Sequence, residues 1–156
     1  MAMTKDEAIQ KVLKIAINES GYLEKASNSQ LDSKTANAGY ANYTKYWRDV
    51  LPSYQTQPWC ACFVTWVLDQ AVGKENTKVL LKHYPFVYCP TLGSLFTKYA
   101  TPEVGDIVLF YRNGVFAHTG FVTKVSGTNN RYFWTIEGNT SGGSTIIENG
   151  GGVCEK

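Results

Sequence analysis

The sequence lacks several features that mark broad classes of protein. No stretch approaches the roughly 20 apolar residues that a membrane-spanning helix needs, so no membrane span is expected. Fifteen Lys and Arg nearly cancel thirteen Asp and Glu, which argues against a basic face that binds nucleic acid. Charged residues make up only 18% of the 156 residues and hydrophobic residues 44%, which excludes intrinsic disorder. The length fits a single domain spanning residues 1–156.

Metal-binding and secretion patterns are missing as well. The four cysteines include no CxxC pair, and Cys60 and Cys62 have no second pair of ligands, so we expect no metal and no other cofactor. The N-terminal segment has no apolar run followed by a small-residue cleavage site, so it does not resemble a secretory signal. The protein is expected to be made in a cytoplasm, where its thiols stay reduced.

Helical patterns fill the first two thirds of the chain. Thr4 and Glu7 form a capping box before an amphipathic stretch that Gly21 ends. Apolar residues at helical spacing predict a buried central helix over 58–72, with Pro58 in its first turn. Shorter helices are predicted around 43–47 and, as a pair, within 77–100. Between the two main helices, residues 26–54 are polar and either line a site or form ordinary surface.

Alternating apolar residues then predict strands over 104–111, 117–125 and 131–137, and a last strand over 144–148. Helices followed by an antiparallel meander indicate an α+β fold, with the N-terminal helices packed on an antiparallel sheet.

Cys60 is the first residue that points to chemistry. A thiol in the first turn of a helix lies among unpaired backbone N–H groups at the positive end of the helix dipole, which stabilises a thiolate. The alternative is a small buried side chain, the usual environment of a single cysteine. Cys62 lies about 200° further round the helix, so it is expected to be buried.

A cysteine nucleophile needs a base, and the chain has only two histidines. His83 lies in a loop-like stretch, whereas His118 opens a strand between small neighbours. A two-residue turn at Gly127-Thr128 would place Glu137 directly opposite His118, where its carboxylate could orient the imidazole. The alternative is a cross-strand pair on the surface.

Four sequence blocks, in order and spacing, resemble the CHAP domain, a cysteine, histidine-dependent amidohydrolase/peptidase of papain-like fold. They are WCACFV at 59–64, VGDIVLF at 104–110, AHTGFV at 117–122 and IEGNT at 136–140. The resemblance implies that Cys60 is the nucleophile and His118 the general base. It also implies that Glu137 orients the base and that Asn139 lies beside the triad, near the oxyanion. The scattered acidic residues of 24–49 do not match the calcium loop of some members.

The resemblance further implies cleavage of an amide bond in the stem peptide or cross-bridge of peptidoglycan, through a cysteine thioester. The aromatic residues Trp47, Tyr54 and Trp59 are predicted to line the substrate groove, with simple packing as the alternative. Within the family, the sequence resembles phage and prophage endolysins, which implies an enzyme that acts on the cell wall after release. We expect a monomer, excised from a longer chain with a wall-binding module.

Three alternatives stay open. The same chemistry would serve a cell-wall-degrading effector, whose partner would be an immunity protein, or an autolysin. A non-catalytic wall-binding module would have no need for an intact Cys, His and Glu. Acyl transfer shares the thioester, because water and an acceptor amine compete for it.

Overall fold

The computed structural model describes residues 3–143 and 150–156. Its first helix, α1 (Lys5–Asn18), begins where the capping pattern predicted: the Thr4 hydroxyl accepts a hydrogen bond of 3.1 Å from the Glu7 backbone N–H. The helix ends three residues before Gly21, and Glu19 is its cap. Gly21 has a φ of 92°, which favours glycine, so it turns the chain after the helix rather than ending the helix itself.

The segment after α1 is anchored to the rest of the protein just before the polar stretch 26–54, because Tyr22, Glu24 and Lys25 are buried. The Tyr22 hydroxyl donates a hydrogen bond of 2.7 Å to the Leu31 carbonyl within that stretch, whose residues 26–40 are mostly exposed. The second helix, α2 (Lys45–Val50), is capped by the Thr44 side chain. A single 3-10 turn over Pro52–Tyr54 leads from α2 toward the central helix.

The central helix, α3 (Cys60–Val72), is the most buried helix of the structure and carries the apolar stripe that its sequence predicted. Its predicted start at Pro58 is wrong by two residues. Trp59 occupies the cap position with a φ of −123° and a ψ of 16°, so Pro58 belongs to the approach and Cys60 becomes the first helical residue. Gly73, with a φ of 84°, ends the helix as predicted.

Two short helices follow, α4 (Lys74–Leu81) and α5 (Cys89–Leu95), in agreement with the pair that the sequence predicted. The Thr65 hydroxyl of α3 donates a hydrogen bond of 2.6 Å to the carbonyl of Phe86, which is buried in the segment between them. This contact ties the approach to α5 to the central helix.

In the described part of the chain, four strands complete the fold: β1 (Ile107–Arg112), β2 (Val115–Ser126), β3 (Tyr132–Thr140) and β4 (Gly152–Glu155). They form one antiparallel sheet in the order β1-β2-β3-β4. The predicted α+β fold is therefore confirmed. The strand predicted over 144–148 lies outside the described residues, and β4 was not predicted.

The β2–β3 hairpin has a different register from the predicted one. Its loop contains five residues, 127–131, instead of a two-residue turn, so Ser126 pairs with Tyr132. Three extra loop residues would by themselves turn Glu137 to the face opposite His118, because side chains alternate along a strand. A bulge in β2 between Val122 and Lys124 shifts the pairing by one residue, which returns Glu137 to the same face of the sheet as His118.

The core lies between the helices and one face of the sheet. α3 packs against α1 and α2 and also against β2 and β3. An aromatic cluster joins α3 and its cap residue to the segment between α1 and α3. Its members are Tyr22, Tyr46, Trp59, Phe63 and Trp66. In the described part of the chain, none of the helices has the length and apolar character that crossing a membrane requires.

Candidate active site

Cys60 lies at the start of the buried central helix and is almost completely enclosed. Its residue surface is only 7% exposed. As the first residue of α3 it sits at the positive end of the helix, and the Ala61 backbone N–H contributes a hydrogen bond to its sulfur. A thiolate is favoured at such a position, so the local structure supplies what the sequence led us to expect.

A second thiol touches Cys60. The Sγ atoms of Cys60 and Cys89 are 3.8 Å apart, and both residues are buried. Cys89 is the first residue of α5, and Pro90 follows it in the first turn, where a proline costs no helical hydrogen bond. Sequence reasoning missed this neighbour, because 29 residues separate the two cysteines and no spacing rule links them.

His118 lies on β2 and is completely buried. Its Nε2 is 2.8 Å from Oε1 of Glu137, and the ring of Phe110 stacks on the imidazole at a centroid distance of 5.7 Å. Among the residues that the structure describes, Nδ1 has no partner at ordinary hydrogen-bond distance. That nitrogen is therefore the one left to act on the Cys60 thiol.

Glu137 reaches His118 across a glycine. One residue beyond the Phe121–Ile136 pair, Glu137 stands opposite Gly120, where an added Cβ would lie 2.6 Å from the Glu137 Cγ. The carboxylate can therefore lean along β2 to His118 only because position 120 has no side chain. Its other oxygen, Oε2, accepts a short hydrogen bond from the Thr135 hydroxyl. Both carboxylate oxygens are thus fixed in a buried environment.

These contacts change the pKa values of the two reactive groups in opposite directions. The Cys89 thiol lowers the pKa of Cys60 by hydrogen bonding; burial opposes this effect, while His118 and the Ala61 N–H reinforce it. Burial by itself would lower the pKa of His118, but its interactions with Cys60 and Glu137 raise it above its ordinary value. Both shifts favour the form of the pair in which Cys60 is a thiolate and His118 an imidazolium.

Cys62 differs from Cys60, because the pKa of its thiol is raised and not lowered. It is completely buried, as predicted, and burial raises the pKa of its thiol well above the ordinary value. His83 is exposed in the loop after α4. Within residues 3–143 and 150–156, no cluster of three or more His, Cys, Asp or Glu could hold a metal ion.

Asn139 lies near the end of β3 with a φ of 57°, a left-handed conformation that asparagine tolerates. Its Oδ1 accepts a hydrogen bond of 3.4 Å from the Gly151 N–H, just before β4. Its Nδ2 is buried and has no partner among the described residues. The predicted position beside the oxyanion stays a prediction.

The prediction that three aromatic residues line a groove is wrong for both tryptophans, which are completely buried. Trp59 stacks on Tyr46 and donates its Nε1–H to Oε1 of Glu24 at 3.2 Å. Trp47 donates its Nε1–H to the Gln57 carbonyl at 2.9 Å, which fixes the chain three residues before Cys60. Their role is packing, the alternative that the sequence left open.

Tyr54 differs from the tryptophans because it is 45% exposed. Its ring packs on Trp47 at a centroid distance of 5.6 Å. Of the three predicted groove residues, it is the one whose ring surface is accessible to a ligand.

The α+β fold brings a thiol at a helix start, a buried histidine and a buried carboxylate together in Cys60, His118 and Glu137. A comparison with protein families matches residues 52–139 to the CHAP domain, more than half of the chain and a span that includes all three residues. The chain belongs to the CHAP family of cysteine, histidine-dependent amidohydrolases and peptidases, whose fold is papain-like. No curated protein and no solved structure matches the chain significantly.

Proposed function

We propose that the protein hydrolyses an amide bond in the peptide part of peptidoglycan through a covalent thioester on Cys60. The observation that carries the proposal is the buried contact of His118 with Glu137 beside a thiol at the start of α3. Membership of the CHAP family supports amidase or peptidase chemistry related to peptidoglycan in general.

The reaction follows from the charges of the site. The Cys60 thiolate attacks the amide carbonyl, and the imidazolium of His118 gives its proton to the leaving amine as the C–N bond breaks. Water then attacks the thioester while His118 takes one of its protons. The products are a carboxylic acid, an amine and the restored Cys60–His118 pair.

The other groups of the site hold these two residues in place. Glu137 keeps the imidazole ring oriented through Nε2, so that Nδ1 performs both proton transfers. The backbone N–H of Cys60, in the first turn of α3, points out of the helix start and can stabilise the oxyanion of each tetrahedral intermediate.

The biological setting that we propose is lysis of a bacterial wall, as an endolysin-like enzyme that reaches peptidoglycan after release from the cell that makes it. The resemblance of the segments 21–25 and 42–46 to phage and prophage endolysins of Gram-positive hosts supports this setting. Both the stem peptide and the cross-bridge contain amide bonds of the required type.

The test is digestion of purified Gram-positive peptidoglycan followed by mass spectrometry of the released fragments. Wild-type protein should release fragments with new amine and carboxyl termini, and Cys60→Ala should release none. Cys62→Ala is the matched control, because its thiol lies in the same helix but is fully buried and protonated. Equal loss in both variants, or release that survives Cys60→Ala, would refute the proposal. The new termini distinguish amidase from endopeptidase cleavage.

A further inference from the structure

The contact between Cys60 and Cys89 brings a second thiol to the reacting atom of the site. Their sulfur atoms are 3.8 Å apart, within hydrogen-bond distance for sulfur, and Cys89 is only 5% exposed. Water therefore has little access to the space between the two sulfurs. A charge on Cys60 must be stabilised by protein groups, because an uncompensated buried charge is costly.

Cys89 is held in this position by packing on both sides. Further along α5, Gly93 lies so close to Phe116 that an added Cβ would be 2.4 Å from the ring. Before α5, the bond from Thr65 to the Phe86 carbonyl ties the chain to α3. Because α5 is fixed to both β2 and α3, the distance between the two sulfurs is determined by the fold.

Either sulfur can donate in this contact, and the neighbours of Cys60 favour Cys89 as the donor. Cys60 lies at the start of α3, and the Ala61 N–H and His118 both lower the pKa of its thiol, which favours a negative charge on the Cys60 sulfur. The proton between the two sulfurs then belongs to Cys89, which donates S–H to the Cys60 thiolate.

We propose that Cys89 is a catalytic residue that stabilises the Cys60 thiolate by donating a hydrogen bond to the reacting sulfur. The proposal rests on the proposed function, since it takes Cys60 as the nucleophile. The proton stays on Cys89 throughout: its hydrogen bond weakens as the charge leaves Cys60 during attack and forms again when the thioester breaks. The thiol thereby also stabilises the leaving thiolate in the hydrolysis of the thioester.

The test compares two replacements of Cys89 by the rate at which iodoacetamide alkylates Cys60, followed by peptide mass spectrometry across a pH series. Cys89→Ala removes the donor, and Cys89→Ser keeps one in a similar volume. A hydrogen bond to a charged group predicts about a tenfold lower rate for Cys89→Ala at about pH 6, with the profile displaced to higher pH. Cys89→Ser should stay close to wild type. Cys154→Ser is the control, since its thiol lies on β4 and bonds to Thr140.

Two outcomes of this comparison would overturn the proposal. One is a wild-type profile in Cys89→Ala, and the other is an equal displacement in Cys89→Ser and Cys89→Ala, which would mean that the volume of the side chain matters and the donor does not. Alkylation needs no peptidoglycan. A protein that alkylates as expected but releases no wall fragments would therefore contradict the proposed function while supporting the role of Cys89.

A second measurement requires no replacement of Cys89. Thiolate absorbance in the ultraviolet, titrated in wild type and in Cys60→Ala, shows which sulfur carries the charge. The thiolate that forms at low pH in wild type should be missing in Cys60→Ala. If it persists there, Cys89 holds the charge, the donor and acceptor are reversed, and the proposal is wrong.

Discussion

Replacing Glu137 by Gln is the most direct perturbation of the site, because it keeps the size of the side chain and removes its charge. Oε2 of Glu137 accepts from the Thr135 hydroxyl, while Oε1 meets Nε2 of His118 at 2.8 Å. In the variant, the amide oxygen takes the position facing Thr135, so the amide NH2 faces the imidazole. Nε2 must then accept a hydrogen bond, and the proton moves to Nδ1, where it opposes transfer from the Cys60 thiol.

The size of the expected loss in activity follows from the hydrogen bond between His118 and the Glu137 carboxylate that the variant loses. A hydrogen bond between charged groups contributes about 1.5–3 kcal/mol, which corresponds to a fall of about tenfold to a hundredfold in kcat/KM. The pKa of His118 should fall as well, because Glu137 is one of the groups that raise it. The rate of peptidoglycan cleavage and the pH profile of Cys60 alkylation measure the two effects.

The matched control is Glu155→Gln, the same substitution at an exposed position on the neighbouring strand β4. It should leave both measurements unchanged. Thermal unfolding of each variant separates a loss of function from a loss of folded protein. A Glu137→Gln variant that is folded and has wild-type kcat/KM and an unchanged pH profile would refute the proposed orienting role of Glu137.

Three further predictions concern the pH profile, the second cysteine of α3 and the glycine of β2. Because the pKa of Cys60 is lowered, alkylation of Cys60 should already be fast well below the ordinary thiol pKa of about 8.5. Because the pKa of His118 is raised, hydrolysis should persist above the ordinary imidazole pKa of about 6.5. A single step at about pH 8.5 in the alkylation profile would contradict the ion pair. Cys62→Ala should retain activity but lower the free energy of unfolding by roughly 1 kcal/mol, measured by urea denaturation, since it removes a completely buried side chain. Gly120→Ala should lower both stability and kcat, because its Cβ would lie 2.6 Å from the Glu137 Cγ and 2.8 Å from the Ile136 carbonyl oxygen; unchanged kinetics would mean that the carboxylate need not cross position 120.

Local patterns predicted much of the framework. The spacing of apolar residues located α1 and α3 to within a few residues, since burying one face of a helix imposes its own period on the sequence. The same reasoning put Cys60 in a helix first turn and Cys62 in the core, because both positions follow from the geometry of one helix. The alternation of residues located three strands, with errors of one to three residues at their ends.

The contact between His118 and Glu137 was predicted from an incorrect register. The five-residue loop and the bulge near Val122 each displace the pairing by an odd number of residues, and the two displacements together keep both side chains on one face. Neither feature has a strong local signature. The two residues were therefore identified by their types and approximate positions, whereas their actual geometry depends on how the strands pair.

The sequence by itself determined which helix presents a thiol at its start, which strand carries a histidine and that Cys62 lies in the core. Only the tertiary structure decided that Cys89 touches Cys60, that Gly120 leaves space for Glu137 and that Trp47 and Trp59 pack inside. The physical reason is the range of the interactions. Periodicity reflects neighbours within a few residues along one element, while these contacts join residues far apart in the chain, and their distances are fixed only when helices and sheet pack together.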